Sequence, residues 1–342
     1  MVGGLGTRLR PLTERTPKPM LPVAGVPLVV HQITRARQAG VDHVVLATSY
    51  RAEVFGEALA DGSGLGVRVD YAVEDEPLGT GGAIRNAAEL LHPGGPDDPV
   101  LVLNGDVLDG HDIAGQVAEA VDRRADVSLY LTVVEDARAY GCVPTDADGR
   151  VTAFLEKMPE PVTDRVNAGC YVFRREVVRG IPAGRPVSVE RETFPGLLAG
   201  GRLLLGRVDT AYWRDLGTPQ SYVHGSADVV LGRVDAPARP GPPGPSLVLD
   251  GAEVAGSATL RGGTTVGSGA EVGEGAVVEG SVLLDGSRVG AGAVVRGSAV
   301  GRGAVVGPGA VLDAAVLGDG AVVRAEARPA AGVRVDCDAT LG

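Results

Sequence analysis

The sequence predicts an α/β domain built on a doubly wound, mostly parallel sheet, followed by a parallel β-helix. Three observations carry that prediction. Strand-like and helix-like segments alternate across residues 25–230, five prolines crowd into residues 231–246, and an apolar residue recurs every six positions beyond them.

The alternation runs in order along the chain. Residues 28–39 read as a helix stopped by Gly40, 43–48 (HVVLAT) as a buried strand and 51–60 as a helix. A strand follows at 67–73, a helix at 82–91, a strand at 99–103, a helix at 112–123 and a strand at 127–134. Strand-like runs recur at 151–155, 170–173 and 203–208. Strands separated by helices of this length need crossover connections, which place them parallel in one sheet. Residues 231–246 (LGRVDAPARPGPPGPS) cannot hold a continuous helix or a central strand, because each proline removes a backbone donor. That stretch is expected to be a linker between an α/β domain, 1–230, and a β-helix domain, 247–342. In the second domain Val254, Leu260, Val266, Val272, Val278 and Leu284 recur at six-residue steps, and Val289, Val295, Val300 and Val306 continue in steps of five and six. Residues 251–342 hold 21 of the 52 glycines, which supplies the corners of such a coil. A six-residue period fits neither a helix nor a hairpin, but it fits a solenoid that buries one aliphatic side chain per side.

Composition excludes several classes. With 342 residues the chain is long enough for roughly two domains, at about 150 residues each. A net charge of −11 argues against a nucleic-acid partner. No apolar run approaches the ~18 residues of a membrane span, and MVGGLGTRLR lacks the apolar core of a secretory signal. Three cysteines, Cys142, Cys170 and Cys337, without a CxxC pair, point to a reducing cytoplasm rather than to a disulfide scaffold or a zinc site. Of the 32 basic residues only Lys18 and Lys157 are lysine. In so arginine-biased a chain, two retained lysines suggest a need for a compact ammonium.

The run GGLGTRLRPLTERTPKPMLPVAG, residues 3–25, is neither a Walker A loop nor a dinucleotide fingerprint, since it lacks GK[ST] and has Leu9 where a third glycine belongs. Gly3, Gly4 and Gly6 still let backbone amides approach an anion, and Arg8, Arg10, Arg15 and Lys18 add charge beside them. A triphosphate cradle fits that pattern. Asp106 ends the apolar strand in VLVLNGD, at the strand's carboxyl end, where open α/β sheets bind ligands. Asp215 stands in WRDLG, and a turn or a helix cap is the other reading for either aspartate.

Together with PLGTGGA (77–83), LNGD (103–106), FLEKMPE (154–160), NAGCYVF (167–173) and YWRDLGTP (212–219), the glycine run resembles the sugar-1-phosphate nucleotidyltransferases, the nucleotide-sugar pyrophosphorylases. The blocks occur in that family's order and cover essentially the whole chain. Within the family the likeness is greatest to bacterial mannose-1-phosphate guanylyltransferases. The resemblance implies a Rossmann-like nucleotidyltransferase domain followed by a left-handed β-helix of hexapeptide repeats. It implies that Arg8, Lys18 and Lys157 are catalytic, and that Gly3, Gly4, Gly6, Thr7, Gly79, Thr80, Gly81 and Gly105 line the nucleotide. Glu156, Asn167 and Gly169 would meet the sugar, and Asp106 and Asp215 would hold Mg²⁺, which needs only one or two carboxylates beside phosphate oxygens. Trp213 is expected to pack beside Asp215.

The reaction so implied joins GTP and α-mannose-1-phosphate into GDP-mannose and pyrophosphate, in a cytoplasmic homo-oligomer without a membrane partner. UTP, dTTP or ATP with glucose-1-phosphate is the alternative pair, which spacing alone does not separate. A β-helix acyltransferase is disfavoured, because the last histidine, His224, precedes the β-helix. A non-catalytic regulatory paralogue should have lost phosphate or metal ligands, and none is lost. Relatives carry an apolar strand of about five residues before the glycine run, whereas only Met1 and Val2 precede it here. The expectation is that the natural start lies upstream.

Overall fold

In a computed structural model the described residues are 1–49, 51–155 and 159–342. The chain opens on a hairpin, β1 (Pro22–Val23) and β2 (Val26–Pro27), and the helix α1 (Leu28–Gln38). Next come β3 (His43–Thr48), α2 (Ala52–Leu59), β4 (Arg68–Val73), α3 (Gly79–Ala87), β5 (Pro99–Leu103), β6 (Val107–Asp109), α4 (Ile113–Asp122) and β7 (Val127–Val133). The catalytic half ends with β8 (Arg165–Arg174), α5 (Arg175–Gly180), α6 (Phe194–Ala199), β9 (Leu204–Val208), β10 (Trp213–Asp215) and α7 (Pro219–Val230). The chain divides into two compact units, Met1–Gly3 with Gln32–Trp213, and Gly4–His31 with Arg214–Gly342.

In the first unit β3 pairs parallel with β4 and β7 pairs parallel with β9. The ten-residue β8 lies antiparallel between β5 and β7. Residues 1–3 bridge β3 and β5: Val2 N–H donates to Ala47 O at 2.9 Å, and the Met1 amino group donates to Leu103 O at 2.7 Å. β7 and β8 are buried on both faces, as a doubly wound sheet requires. Tyr171 and Phe173 pack with Ile84, Val177 and Phe194 on one side, while Val172 meets Ala120 of α4 and Leu205 on the other. Each such side chain contributes roughly 1.5–3 kcal/mol on burial. The register of β7 on β8 slips between Leu129 and Leu131, a bulge in β8 at Ala168–Cys170, opposite Tyr130.

Two expected elements differ. Residues 151–155 form only isolated bridges, Thr145 with Val151 and Cys142 with Leu155. The third helix begins at Gly79 rather than at residue 82, so Gly79, Thr80 and Gly81 are its first turn and not a loop ahead of it.

In the second unit α7 is entered through a capping box, with Thr218 and Ser221 bonded reciprocally and Pro219 in the first turn. Its Tyr222 hydroxyl donates to Pro22 O at 2.7 Å, and Ser226 Oγ accepts from Ala24 N–H at 2.9 Å, which fastens the β1–β2 hairpin. Residues 231–245 hold no helix or strand. They fold back on α7, where Gly244 N–H reaches Val230 O and Arg239 Nη1 reaches Val229 O. From Ser246 on, short strands stack into a parallel β-solenoid of about five turns, consistent with a left-handed β-helix.

The solenoid core follows the periodic residues with one shift. Leu283, not Leu284, joins Val266, Val272, Val278, Val289 and Val295 in the core cluster. The pairing Leu260 with Val278 fixes an eighteen-residue coil, and Val278 with Val295 a seventeen-residue one. The shortened corner carries a hydroxyl ladder. Ser281 N–H points at Thr264 Oγ1, Ser298 N–H donates to Ser281 Oγ at 3.1 Å, and Ala315 N–H donates to Ser298 Oγ at 2.9 Å. Each hydroxyl thereby meets a buried corner amide that would otherwise lack an acceptor. Ser281→Ala leaves the buried Ser298 amide without its acceptor. It should destabilise the protein by about 1–3 kcal/mol, read as a lower midpoint in denaturant at unchanged slope.

Candidate functional site

In the first unit the site residues hang from the carboxyl end of β5. The Asn104 amide donates to Gly169 O and the Gly105 amide to Met1 O, both at 2.8 Å. Gln32 on α1 donates from one Nε2 to Asn104 O at 2.7 Å and Val107 O at 2.8 Å, closing the turn that carries Asp106. One helical turn on, Arg35 reaches the backbone and carboxylate of Asp109 and the carbonyl of His111. His111 is stacked 3.9 Å from Tyr130 and lies between Asp109 Oδ1 and Gln116 Oε1, each 3.0 Å away. Gln116 Nε2 in turn donates to Ser128 O. Burial opposes ionisation of Asp109. The hydrogen bond from His111 and the charges of His111 and Arg35 outweigh it and hold the carboxyl below its ordinary range.

Gly79 has φ +68°, and a Cβ there would lie 2.7 Å from Val187 O, so only glycine opens α3 in this way. The Gly81 amide donates to Val187 O at 2.7 Å. The Thr80 hydroxyl donates to Glu190 at 2.8 Å and accepts from Val189 N–H, bolting α3 to the π-turn at Val189–Thr193. Asn167 donates to the Tyr171 hydroxyl at 2.8 Å and accepts from Gly169 N–H, so both of its polar ends are engaged within β8. Trp213 packs edge-on to Tyr140, with its indole N–H on Ala168 O. Gly3 lies against Ser49, whose hydroxyl donates to Gly3 O.

In the second unit Gly6 turns the phosphate-loop candidate at φ +61°, with Thr13 Oγ1 donating to its carbonyl at 2.8 Å. A Cβ on Gly6 would sit 3.0 Å from Thr13 Cγ2 and 3.2 Å from Lys18 Cβ. Thr7 and Arg8 follow in the single 3₁₀ turn Thr7–Leu9, and Gly4 has open space around it. Lys18 is buried and its Nζ lies 3.6 Å from Asp215 Oδ1. Arg8 closes the group at Gly217, where a Cβ would meet Arg8 Nη2 at 2.6 Å and Asp215 Oδ1 at 2.9 Å. The structure therefore brings Arg8, Lys18 and Asp215 together. Glu156 and Lys157 lie outside the described residues.

Sequence reasoning missed Gln32, Arg35 and Gly217. Gln32 and Arg35 are three apart on a helix, which reads as an ordinary polar face. Gly217 was visible in WRDLGTP as the glycine two residues after the aspartate.

Two substitutions probe this geometry. Gly217→Ala should leave folding intact but displace Arg8 and Asp215, lowering kcat/KM by roughly tenfold to a hundredfold, as small misplacements at reacting groups do; unchanged steady-state kinetics would contradict it. Asp109→Asn should cost about 3–5 kcal/mol at neutral pH, the usual effect of removing one partner from a buried ion pair. Because the native carboxyl titrates below its ordinary value of about 4, its stabilisation is present above that pH and is lost as pH falls through the lowered native value. The gap between variant and wild type in denaturant titrations should therefore narrow in acid.

A family profile described as nucleotidyl transferase matches residues 1–230, and one described as GMPPB C-terminal domain matches residues 243–330. The mannose-1-phosphate guanylyltransferase of Mycobacterium tuberculosis is 52% identical over 289 residues, covering 84% of this chain and 79% of that protein. The mannose-1-phosphate guanyltransferase of Yarrowia lipolytica is 38% identical over 228 residues, which cover 66% of this chain and 62% of the relative. Among solved structures, HddC from Yersinia pseudotuberculosis, also solved in complex with GMP-PN, aligns with a TM-score of 0.57 at 28% identity, over 67% of this chain and 96% of that one.

Proposed function

The chain belongs to the nucleotidyl transferase family, and from that premise we propose that it transfers a guanylyl group from GTP to α-mannose-1-phosphate. An oxygen of the sugar phosphate attacks the α-phosphorus in line, a P–O bond forms, and the bond to the β-phosphate oxygen breaks to release pyrophosphate. The nucleophile is already an anion, so no base and no covalent intermediate are required. Catalysis is then positioning and charge neutralisation.

The observation that carries this reading is the convergence of Arg8 and Lys18 with Asp215 behind the Gly6 turn. Two cations beside glycine-freed amides suit a triphosphate and the pyrophosphate that leaves. The resemblance gives Lys157 the sugar phosphate, and Glu156, Asn167 and Gly169 the sugar. Gly3, Gly4, Thr7, Gly79, Thr80, Gly81 and Gly105 fall to the nucleotide. The resemblance gives a divalent metal to Asp106 and to Asp215, each of which offers hard carboxylate oxygens of the kind Mg²⁺ takes alongside phosphates. When bound, the ion would neutralise phosphate charge. We assign the chemistry to residues 1–230 and a structural role, closing an oligomer or carrying an allosteric contact, to 247–342, joined by 231–246, in a cytoplasmic homo-oligomer. The names of the relatives favour guanine and mannose.

The test is pyrophosphate release measured for GTP, UTP, dTTP and ATP, each against mannose-1-phosphate and glucose-1-phosphate. GTP with mannose-1-phosphate should give the highest kcat/KM. A higher value for UTP, dTTP or ATP with glucose-1-phosphate would replace this reading with that pair.

A further inference from the structure

Residues 8–16, which carry Arg8 and the turn after it, lie along the last coils of the solenoid, all within the second unit. Arg334 Nη1 donates to Arg8 O and to Arg10 O, both at 3.0 Å. Arg302 Nη1 donates to Thr16 Oγ1 at 2.7 Å, and Arg15 forms an ion pair with Asp338. Cys337 Sγ approaches Pro11 O at 3.9 Å. These partners share one corner of successive coils. Val300, Leu317 and Val335 are stacked by register, and Arg302 N–H and Asp338 N–H both bond to Asp319, at 2.9 Å each.

We propose that this corner is a clamp for the nucleotide-phosphate loop and that Arg334 is a positioning residue for the reaction. The inference rests on the reading that residues 3–18 bind the nucleotide's phosphates. The loop has no strand and only single 3₁₀ turns to hold its shape. Its carbonyls at Arg8 and Arg10 point where a 3₁₀ turn ends, and a cation satisfies such carbonyls well. One guanidinium nitrogen bonded to both fixes the backbone from which the Arg8 side chain departs. Hydrogen bonds to a charged donor are the strong kind, so the pair is able to hold a short loop that would otherwise fluctuate. The solenoid then acts on GTP without touching it.

The experiment compares Arg334→Ala, Arg334→Lys, Arg8→Ala and, as a solenoid control, Arg288→Ala, which removes an exposed ion pair with Glu271 on another face of the coil. Hydrogen exchange of the amides at 4–16 is measured on the full chain without substrate, and KM is measured for each substrate separately. Arg334→Ala should speed exchange across 4–16 and raise KM for GTP roughly tenfold, the scale of loss expected from a misplaced binding group. KM for mannose-1-phosphate and the thermal midpoint should stay put. Arg334→Lys should fall between it and wild type, and Arg288→Ala should match wild type throughout. Unchanged exchange and unchanged KM for GTP in Arg334→Ala, with Arg8→Ala impaired, would overturn the clamp and leave the site assignment standing. Faster exchange in Arg334→Ala with GTP kinetics untouched in both Arg334→Ala and Arg8→Ala would instead remove the loop from nucleotide binding, and the positioning role with it. A parallel rise in both KM values together with a lower thermal midpoint would mark Arg334 as a general packing residue and also overturn the proposal.

Discussion

The proposed phosphate loop, residues 3–18, presents its amides and cations from a stretch that forms no regular element longer than a turn. Ordering such a backbone costs roughly 1–2 kcal/mol for every residue fixed. The cost is offset one carbonyl at a time. Thr13 holds the Gly6 carbonyl, Arg334 holds those of Arg8 and Arg10, and Arg302 holds the Thr16 hydroxyl. Gly217 leaves the space in which Arg8 and Asp215 come close. Each of these partners comes from a different place in the sequence, and two, Arg302 and Arg334, come from the solenoid. The glycine run by itself describes a loop that is able to approach an anion. The rest of the second unit decides where that loop stands.

The Asp106 turn in the first unit obeys the same constraint by other means. Its carbonyls at Asn104 and Val107 are drawn onto the single amide nitrogen of Gln32, and the strand that leaves it ends on Asp109, buried against Arg35 and His111. A buried charge pair of this kind is weak evidence for net stability, since desolvation opposes the Coulomb gain. Its use here is geometric. Asp109 accepts from His111 on one side and Arg35 on the other, so a shift of β6 would break both bonds at once.

The sequence was most legible where its period was long and its chemistry simple. Strands 43–48 and 99–103 emerge with the expected bounds, and the solenoid follows its aliphatic period, because a coil that buries one side chain per side writes that side chain into the chain at a fixed step. The slip from Leu284 to Leu283 was hidden by two adjacent leucines, either of which satisfies the pattern. What chose between them is the Thr264–Ser281–Ser298 ladder, and small polar residues read as corners rather than as core. The start of α3 was misjudged because glycine is poor in helices. Here Gly79 adopts a positive φ that no other residue takes comfortably, and the Val187 carbonyl receives the turn's amides. Asn167, read as a sugar contact, also braces its own strand, with its amide donating to Tyr171 and accepting from Gly169. Gln32 and Arg35 carried no signal at all, since a polar pair on a helix is the commonest sight in any surface.

The solenoid is tied down at both of its ends. Its first coils meet α7 through Gly263 against Ala227 and through Thr265 beside Ser226, and its last coils hold residues 8–16. Everything between is a stack of equal steps, each about 4.8 Å high, the spacing of neighbouring strands. Such a stack is a ruler with a stop at each end. Repeat proteins ordinarily gain or lose units with ease, because each unit touches only its neighbours. Here one coil more or one coil fewer would move Arg302 and Arg334 by a full step while α7 stayed where it was, and the far tie would part. The count of coils is therefore a length that the loop depends on, and the variation open to this domain lies on the outer faces of its coils rather than in their number.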